Sequence, residues 1–142
     1  MHQQSAAISS FVIYLDTGVL VRALLQAHPE HKRCVSLLSE NAASSCHSLA
    51  ELFNTLTGFF KVPNDVAAEA IDSVTEEVRF EPILQSDYLK IVREARQRGI
   101  QGGIIYDALH AEIARRLKVE KIITYNITNF RHVAPDLECA IP

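Results

Sequence analysis

A chain of 142 residues, 48% hydrophobic and 22% charged, suffices for one globular domain and is too short for two. Lys+Arg 14 against Asp+Glu 17 leaves a net charge of -3, which excludes a strongly basic nucleic-acid glove and leaves room only for a local basic patch. Cys34, Cys46 and Cys139 stand far apart with no C-x-x-C, which argues against a disulfide framework and for a reducing compartment.

Residues 1–10 hold no Lys or Arg and no apolar run of signal-peptide or membrane-spanning length, so they read as a flexible leader of a soluble, cytoplasmic protein. Phe11 to Leu15 is a short apolar run rich in β-formers, the pattern of a strand buried on both faces. After Asp16, the residues Val19, Leu20, Ala23 and Leu24 take helical spacing. A second helix follows Pro29 and ends near Asn41. Ala43 to Cys46 reads as a second strand. Ser48 opens a helix carrying Leu49, Leu52, Phe53, Leu56, Phe59 and Phe60, which Pro63 stops.

Asp65 to Glu77 reads as a helix, Arg79 to Leu84 as a strand, and Ser86 to Arg98 as a helix closed by Gly99. Gly102 and Gly103 form a loop before a helix over Asp107 to Leu117. Lys121 to Tyr125 and Leu137 to Ile141 complete the strands. Such alternation predicts one α/β domain over residues 11–142, a three-layer α/β/α sandwich around a mostly parallel sheet.

Four junctions share one signature, an apolar run followed by a carboxylate or amide at the start of the next helix. They end at Asp16, Glu51, Asp107 and Asn126. In a parallel α/β sheet these positions converge at the carboxyl ends of the strands, where that architecture places its sites. Three acids in one crevice repel one another unless a cation lies between them. Each also has a plainer reading. Asp16 and Asp107 are suited to cap helices, Ser48 with Glu51 fits the S-x-x-E capping box, and Asn126 suits a short turn. Together they point to a metal site, and oxygen ligands suit a hard ion such as Mg²⁺ or Mn²⁺.

The stretches Tyr14-Leu-Asp16-Thr17, Leu49-Ala-Glu51-Leu, Tyr106-Asp107-Ala-Leu and Ile123-Thr124-Tyr-Asn126, the last followed by Asn129-Phe130, resemble in order and spacing the motifs of PIN-domain nucleases. The likeness covers Val12 to Pro142 and is strongest to the VapC-type ribonuclease toxins of toxin–antitoxin modules. It implies a PIN-like fold and metal-dependent hydrolysis of RNA phosphodiester bonds. Asp16, Glu51 and Asp107 would be the Mg²⁺ or Mn²⁺ ligands, with Thr17 and Thr124 supporting them. Asn126 stands in the catalytic set where many members carry a fourth acid, a departure that removes one charge and weakens the case for a second ion. The resemblance also implies a cognate antitoxin and a homodimer built around the Leu49 to Phe60 region. Two alternatives stay open: a housekeeping RNA-processing PIN nuclease, and a non-catalytic PIN-like module binding RNA or protein.

The remaining features are quieter. His28, His31, His47, His110 and His132 match no zinc spacing and read as surface or capping residues, although His110 lies one helical turn beyond Asp107 and so is placed to face the crevice. Lys90, Arg93, Arg96 and Arg98 form a stripe that either steers RNA phosphates or is a solvated face, and Glu94 within it favours the second. Arg115, Arg116, Lys118 and Lys121 suit a helix C-terminus. No phosphate-binding glycine loop exists.

Overall fold

The computed structural model describes residues 11–142, so the flexible leader expected over 1–10 lies outside the described residues. Five strands, β1 (Ile13–Leu15), β2 (Ala42–Ser45), β3 (Arg79–Glu81), β4 (Lys121–Ile123) and β5 (Cys139–Ala140), form one sheet in the order β3-β2-β1-β4-β5. Every neighbouring pair is parallel. Helices α1 (Thr17–Leu24), α2 (His31–Val35), α3 (His47–Asn54), α4 (Asn64–Val74), α5 (Gln85–Arg98), α6 (Ile104–Arg116) and α7 (Ile127–Val133) cover both faces.

The period-two geometry of the strands divides the core. In β1 Tyr14 points to one face and Leu15 to the other, and β4 repeats this with Ile122 and Ile123. Tyr14 and Ile122 pack with Ile91 of α5, Ile113 of α6 and Phe130 of α7. Leu15 and Ile123 pack with Val19 and Leu20 of α1, Leu52 of α3 and Val74 of α4. The expected three-layer α/β/α sandwich is therefore present. β1 sits between β2 and β4, and the chain runs outward from it first to β2 and β3, then back to β4 and β5. That reversal is the switch point at which a parallel sheet opens a crevice beyond its carboxyl ends.

Several boundaries differ from the sequence reading. The strand expected from Phe11 begins at Ile13, because Phe11 is exposed and takes no place in the core. The helix after Pro29 spans only His31–Val35, and the chain to Asn41 proceeds through turns. The helix opened near Ser48 ends as an α-helix at Asn54 and continues as a π-helical turn over Thr55–Phe59. It buries Leu52 and Leu56 but leaves Phe53, Phe59 and Phe60 exposed. The helix expected to start at Asp107 starts three residues earlier, at Ile104. Asn126 precedes a short helix, α7, in keeping with its place at a helix start, although the sequence pattern gave that helix no bounds. α5 ends as expected: Gly99 adopts φ 67°, the left-handed conformation that glycine takes without strain.

Four of the eight basic residues singled out from the sequence are paired within the fold. Lys90 pairs with Glu112 at 2.8 Å and Arg98 with Glu94 at 3.1 Å. Arg115 pairs with Asp136 and Arg116 with Asp87, each at 2.8 Å. All three cysteines are free thiols. No helix among the described residues is long and apolar enough to cross a membrane.

Leu20 is fully buried against the Leu15 face of the sheet, so Leu20→Ala should destabilise the protein by about 2–5 kcal/mol through lost burial and a residual cavity. Urea unfolding followed by circular dichroism measures this as a fall in midpoint at unchanged slope.

Candidate active site

Asp16, Glu51 and Asp107, from three different parts of the chain, line one open pocket of about 420 Å³ together with Thr17, Gly18, Arg22, His28 and the Phe59–Phe60 pair. Asp16 comes from the end of β1, Glu51 from α3 after β2, and Asp107 from the first turn of α6. Each carboxylate is held by donors from a neighbouring segment.

Asp16 is the N-cap of α1, as its position suggested: Oδ1 accepts from the Thr17 amide at 2.9 Å. Its other oxygen, Oδ2, accepts from the Thr124 hydroxyl at 2.8 Å, which ties the end of β1 to the end of β4. The Thr124 oxygen in turn accepts the backbone N–H of Asn126 at 2.9 Å.

Glu51 does not form the capping box with Ser48. Its Oε1 accepts from the Thr17 hydroxyl at 2.7 Å and lies 3.1 Å from His110 Nε2. Ser48 is instead buried beneath this contact, with its hydroxyl 3.0 Å from both Thr17 Oγ1 and Ser44 Oγ. Ser44 donates to the Leu15 carbonyl at 2.7 Å. The serines thus carry a buried hydroxyl chain from the backbone of β1 to the crevice.

Asp107 is no cap, because α6 begins before it. Its Oδ2 accepts from two amides, Asn126 Nδ2 at 3.2 Å and Asn129 Nδ2 at 3.0 Å. Asn126 therefore touches one of the three acids, presenting its nitrogen to Asp107. The position of Asn129 one α7 turn beyond it is the feature that sequence reasoning left without a role. An i, i+3 pair of asparagines after a strand is a signal that could have assigned one.

His110 is a larger surprise. Read as a surface or capping residue with a possible view of the crevice, it is almost wholly buried, between Glu51 Oε1 and the Tyr14 hydroxyl. Burial opposes its protonation, but the Glu51 contact and the charges of Asp16 and Asp107 prevail and raise its pKa. Burial likewise pushes the Glu51 carboxyl up, and the bonds from His110 and Thr17 reverse this to a net lowering. Asp107 goes the other way. Burial raises its pKa and the Asp16 and Glu51 charges add to that, against the opposing Asn129 amide. Asp107 is the acid on which mutual repulsion registers.

The donor set is hard oxygen, which fits Mg²⁺ or Mn²⁺ and not the soft-ligand metals. Among the described residues no three His, Cys, Asp or Glu side chains form a ready-made cage around a point. Mg²⁺ does not require one, since it commonly takes one or two carboxylates and completes its shell with water.

Comparison with known proteins agrees with this architecture. Residues 13–135 match the PIN domain family, and the chain belongs to it. Three solved structures resemble it in fold. VapC20 of Mycobacterium tuberculosis, a Sarcin-Ricin loop cleaving toxin, is 17% identical with a TM-score of 0.63, covering 78% of this chain and 86% of that one. VapBC2 of Rickettsia felis, bound to a DNA fragment from their promoter, is 24% identical with a TM-score of 0.64, covering 91% and 97%. VapBC-1 of nontypeable Haemophilus influenzae is 23% identical with a TM-score of 0.65, covering 92% and 98%. No curated protein sequence matches the chain.

The opposed shifts of Glu51 and His110 fix a pH signature for the metal-free protein. His110, raised above 6.5, contributes stability that is complete below 6.5 and is lost as pH rises through its folded value. Glu51, lowered from 4.5, contributes stability that is complete above 4.5 and is lost as pH falls through its folded value. Glu51→Gln should therefore cost most stability between those two pH values and progressively less towards alkaline pH. Urea midpoints of wild type and variant across pH 4 to 9 in chelator would measure the difference.

Proposed function

We propose that this chain is a Mg²⁺- or Mn²⁺-dependent endoribonuclease, the VapC-type toxin of a toxin–antitoxin pair, hydrolysing RNA phosphodiester bonds. The observation that carries this reading is the meeting of Asp16, Glu51 and Asp107 in one open pocket at the carboxyl ends of the central strands. Membership of the PIN domain family and the fold likeness to VapC proteins support it.

In this reading Asp16 and Asp107 hold the ion, with Glu51 bonding directly or through water. An ion held there would supply positive charge against the phosphate and lower the pKa of a bound water. The protein contributes orientation. Thr17 and His110 both engage Glu51 Oε1, which directs the other oxygen, Oε2, away from them. Asn126 and Asn129 share Asp107 Oδ2 in the same manner. Thr124 fixes the Asp16 rotamer from the adjacent strand. Water is the nucleophile in this reading, and no covalent enzyme intermediate is required.

The exposed Phe53, Phe59 and Phe60 beside the pocket support a protein partner at this edge, consistent with a cognate antitoxin and with a homodimer using the same region. The free thiols agree with a cytoplasmic setting.

Asp16→Asn and Asp107→Asn should each reduce RNA cleavage by at least about 100-fold, since even loss of an outer partner of a metal ligand commonly costs 10–100-fold. Chelator should abolish wild-type cleavage and added Mn²⁺ restore it. For Asp107→Asn, removing the repelled charge should also raise the melting temperature of the metal-free protein. Gel assays on cellular RNA and thermal scans give both readouts, and undiminished cleavage by both variants would exclude this site.

A further inference from the structure

An aromatic pair beside Glu51 takes no part in the hydrolytic chemistry. Tyr106, immediately before Asp107, lies parallel to the His47 ring, with centroids 5.6 Å apart and 4° between planes. His47 is one helical turn before Glu51, and its Nε2 is 3.8 Å from Glu51 Oε2. His47 is thus anchored beside Glu51, and Tyr106 is held there through the stack. Neither lines the pocket that contains Arg22, Phe59 and Phe60.

Tyr106 is 51% exposed although it lies in the first turn of a helix whose following residues are largely buried. A half-exposed tyrosine stacked on one side only has a free aromatic face. Its partner, His47, limits the ring's rotation, so little side-chain entropy remains to be lost when a second planar group settles on it.

We infer that the Tyr106–His47 pair is a stacking platform for one nucleobase of the RNA, next to the phosphate that the acids address. The inference rests on the nuclease reading above and adds to it the seat of a neighbouring base. His47 touches Glu51 and carries the exposed Tyr106 ring stacked on it, so a base adjoining a phosphate held at Glu51 is within reach of that ring. Stacking suits such a place because every base has a π-face, and proteins that bind single-stranded RNA stack unpaired bases on aromatic rings. The acidic crevice repels the backbone until a cation is bound, so an uncharged contact beside it adds affinity without adding repulsion.

The chain contains no tryptophan, so Tyr106→Trp introduces a single indole reporter. A short single-stranded RNA of mixed sequence, added with Ca²⁺ in place of Mg²⁺, should quench this indole, whereas an abasic ribose-phosphate strand of equal length should not. Tyr106→Leu should weaken RNA binding by about 5- to 100-fold, the range expected for loss of one base–aromatic stack, and raise KM with little change in kcat. Tyr106→Phe should bind as wild type does. Unchanged KM in Tyr106→Leu, or quenching equal with the abasic strand, in a protein whose wild type still cleaves RNA, would overturn the platform and leave the nuclease reading standing. A wild-type chain that neither binds nor cleaves RNA would overturn both.

Discussion

The crowding of Asp16, Glu51 and Asp107 at one end of a parallel sheet is the constraint around which the surrounding polar structure is arranged. Carboxylates that share a crevice raise one another's proton affinity, and each charge withdrawn from water costs more unless donors replace the lost hydration. Here the donors are supplied one segment at a time: the Thr17 amide and Thr124 hydroxyl for Asp16, the Thr17 hydroxyl and His110 for Glu51, the Asn126 and Asn129 amides for Asp107. Five of these six are side chains on segments other than that of the acid they serve, and the sixth is the first amide of the helix that Asp16 caps. The site is therefore a cross-link among β1, β4, α3, α6 and α7 as much as a chemical device.

This coupling explains why the polar network reaches so far into the core. The Tyr14 hydroxyl is fully buried in the central strand and contacts His110, which contacts Glu51. Burial, with the Asp16 charge adding, holds the Tyr14 phenol well above its ordinary pKa, so it remains a neutral hydrogen-bonding group. On the other side, the Ser44 and Ser48 hydroxyls fill the gap between β1, β2 and α3 at full burial. Ser48 reaches the acids only through Thr17, whose hydroxyl bonds Glu51.

The layers were legible in the sequence because buried strands announce themselves as apolar runs, and the same rule placed Asp16 at the end of β1. Glu51 lies inside α3, and Asp107 follows no strand, because Ile104 to Tyr106 is the first turn of α6, so the meeting of these two with Asp16 depends on how the helices pack. What was not legible depends on contacts between distant segments. Glu51 satisfied the local capping pattern with Ser48, and only the approach of Thr17, 34 residues away, and of His110, 59 residues away, shows why the local bond is not made. His110 looked peripheral because histidine is usually exposed, and the three acids around it reverse that expectation. The extent of α7 was not legible because a helix of seven residues, Ile127–Val133, carries too few turns for its period to stand out. The start of α6 at Ile104 was hidden by Gly102 and Gly103, which gave the segment the look of a loop.

Whether a cation completes this arrangement is the question that bears most directly on the account. Crystals grown in Mn²⁺ and measured at the manganese absorption edge locate the ion without reference to activity. The account requires one anomalous peak bounded by carboxylate oxygens of Asp16 and Asp107, with Glu51 as a direct or water-bridged neighbour. Absence of any peak between these acids at saturating Mn²⁺, with the three carboxylates still in place, would contradict it.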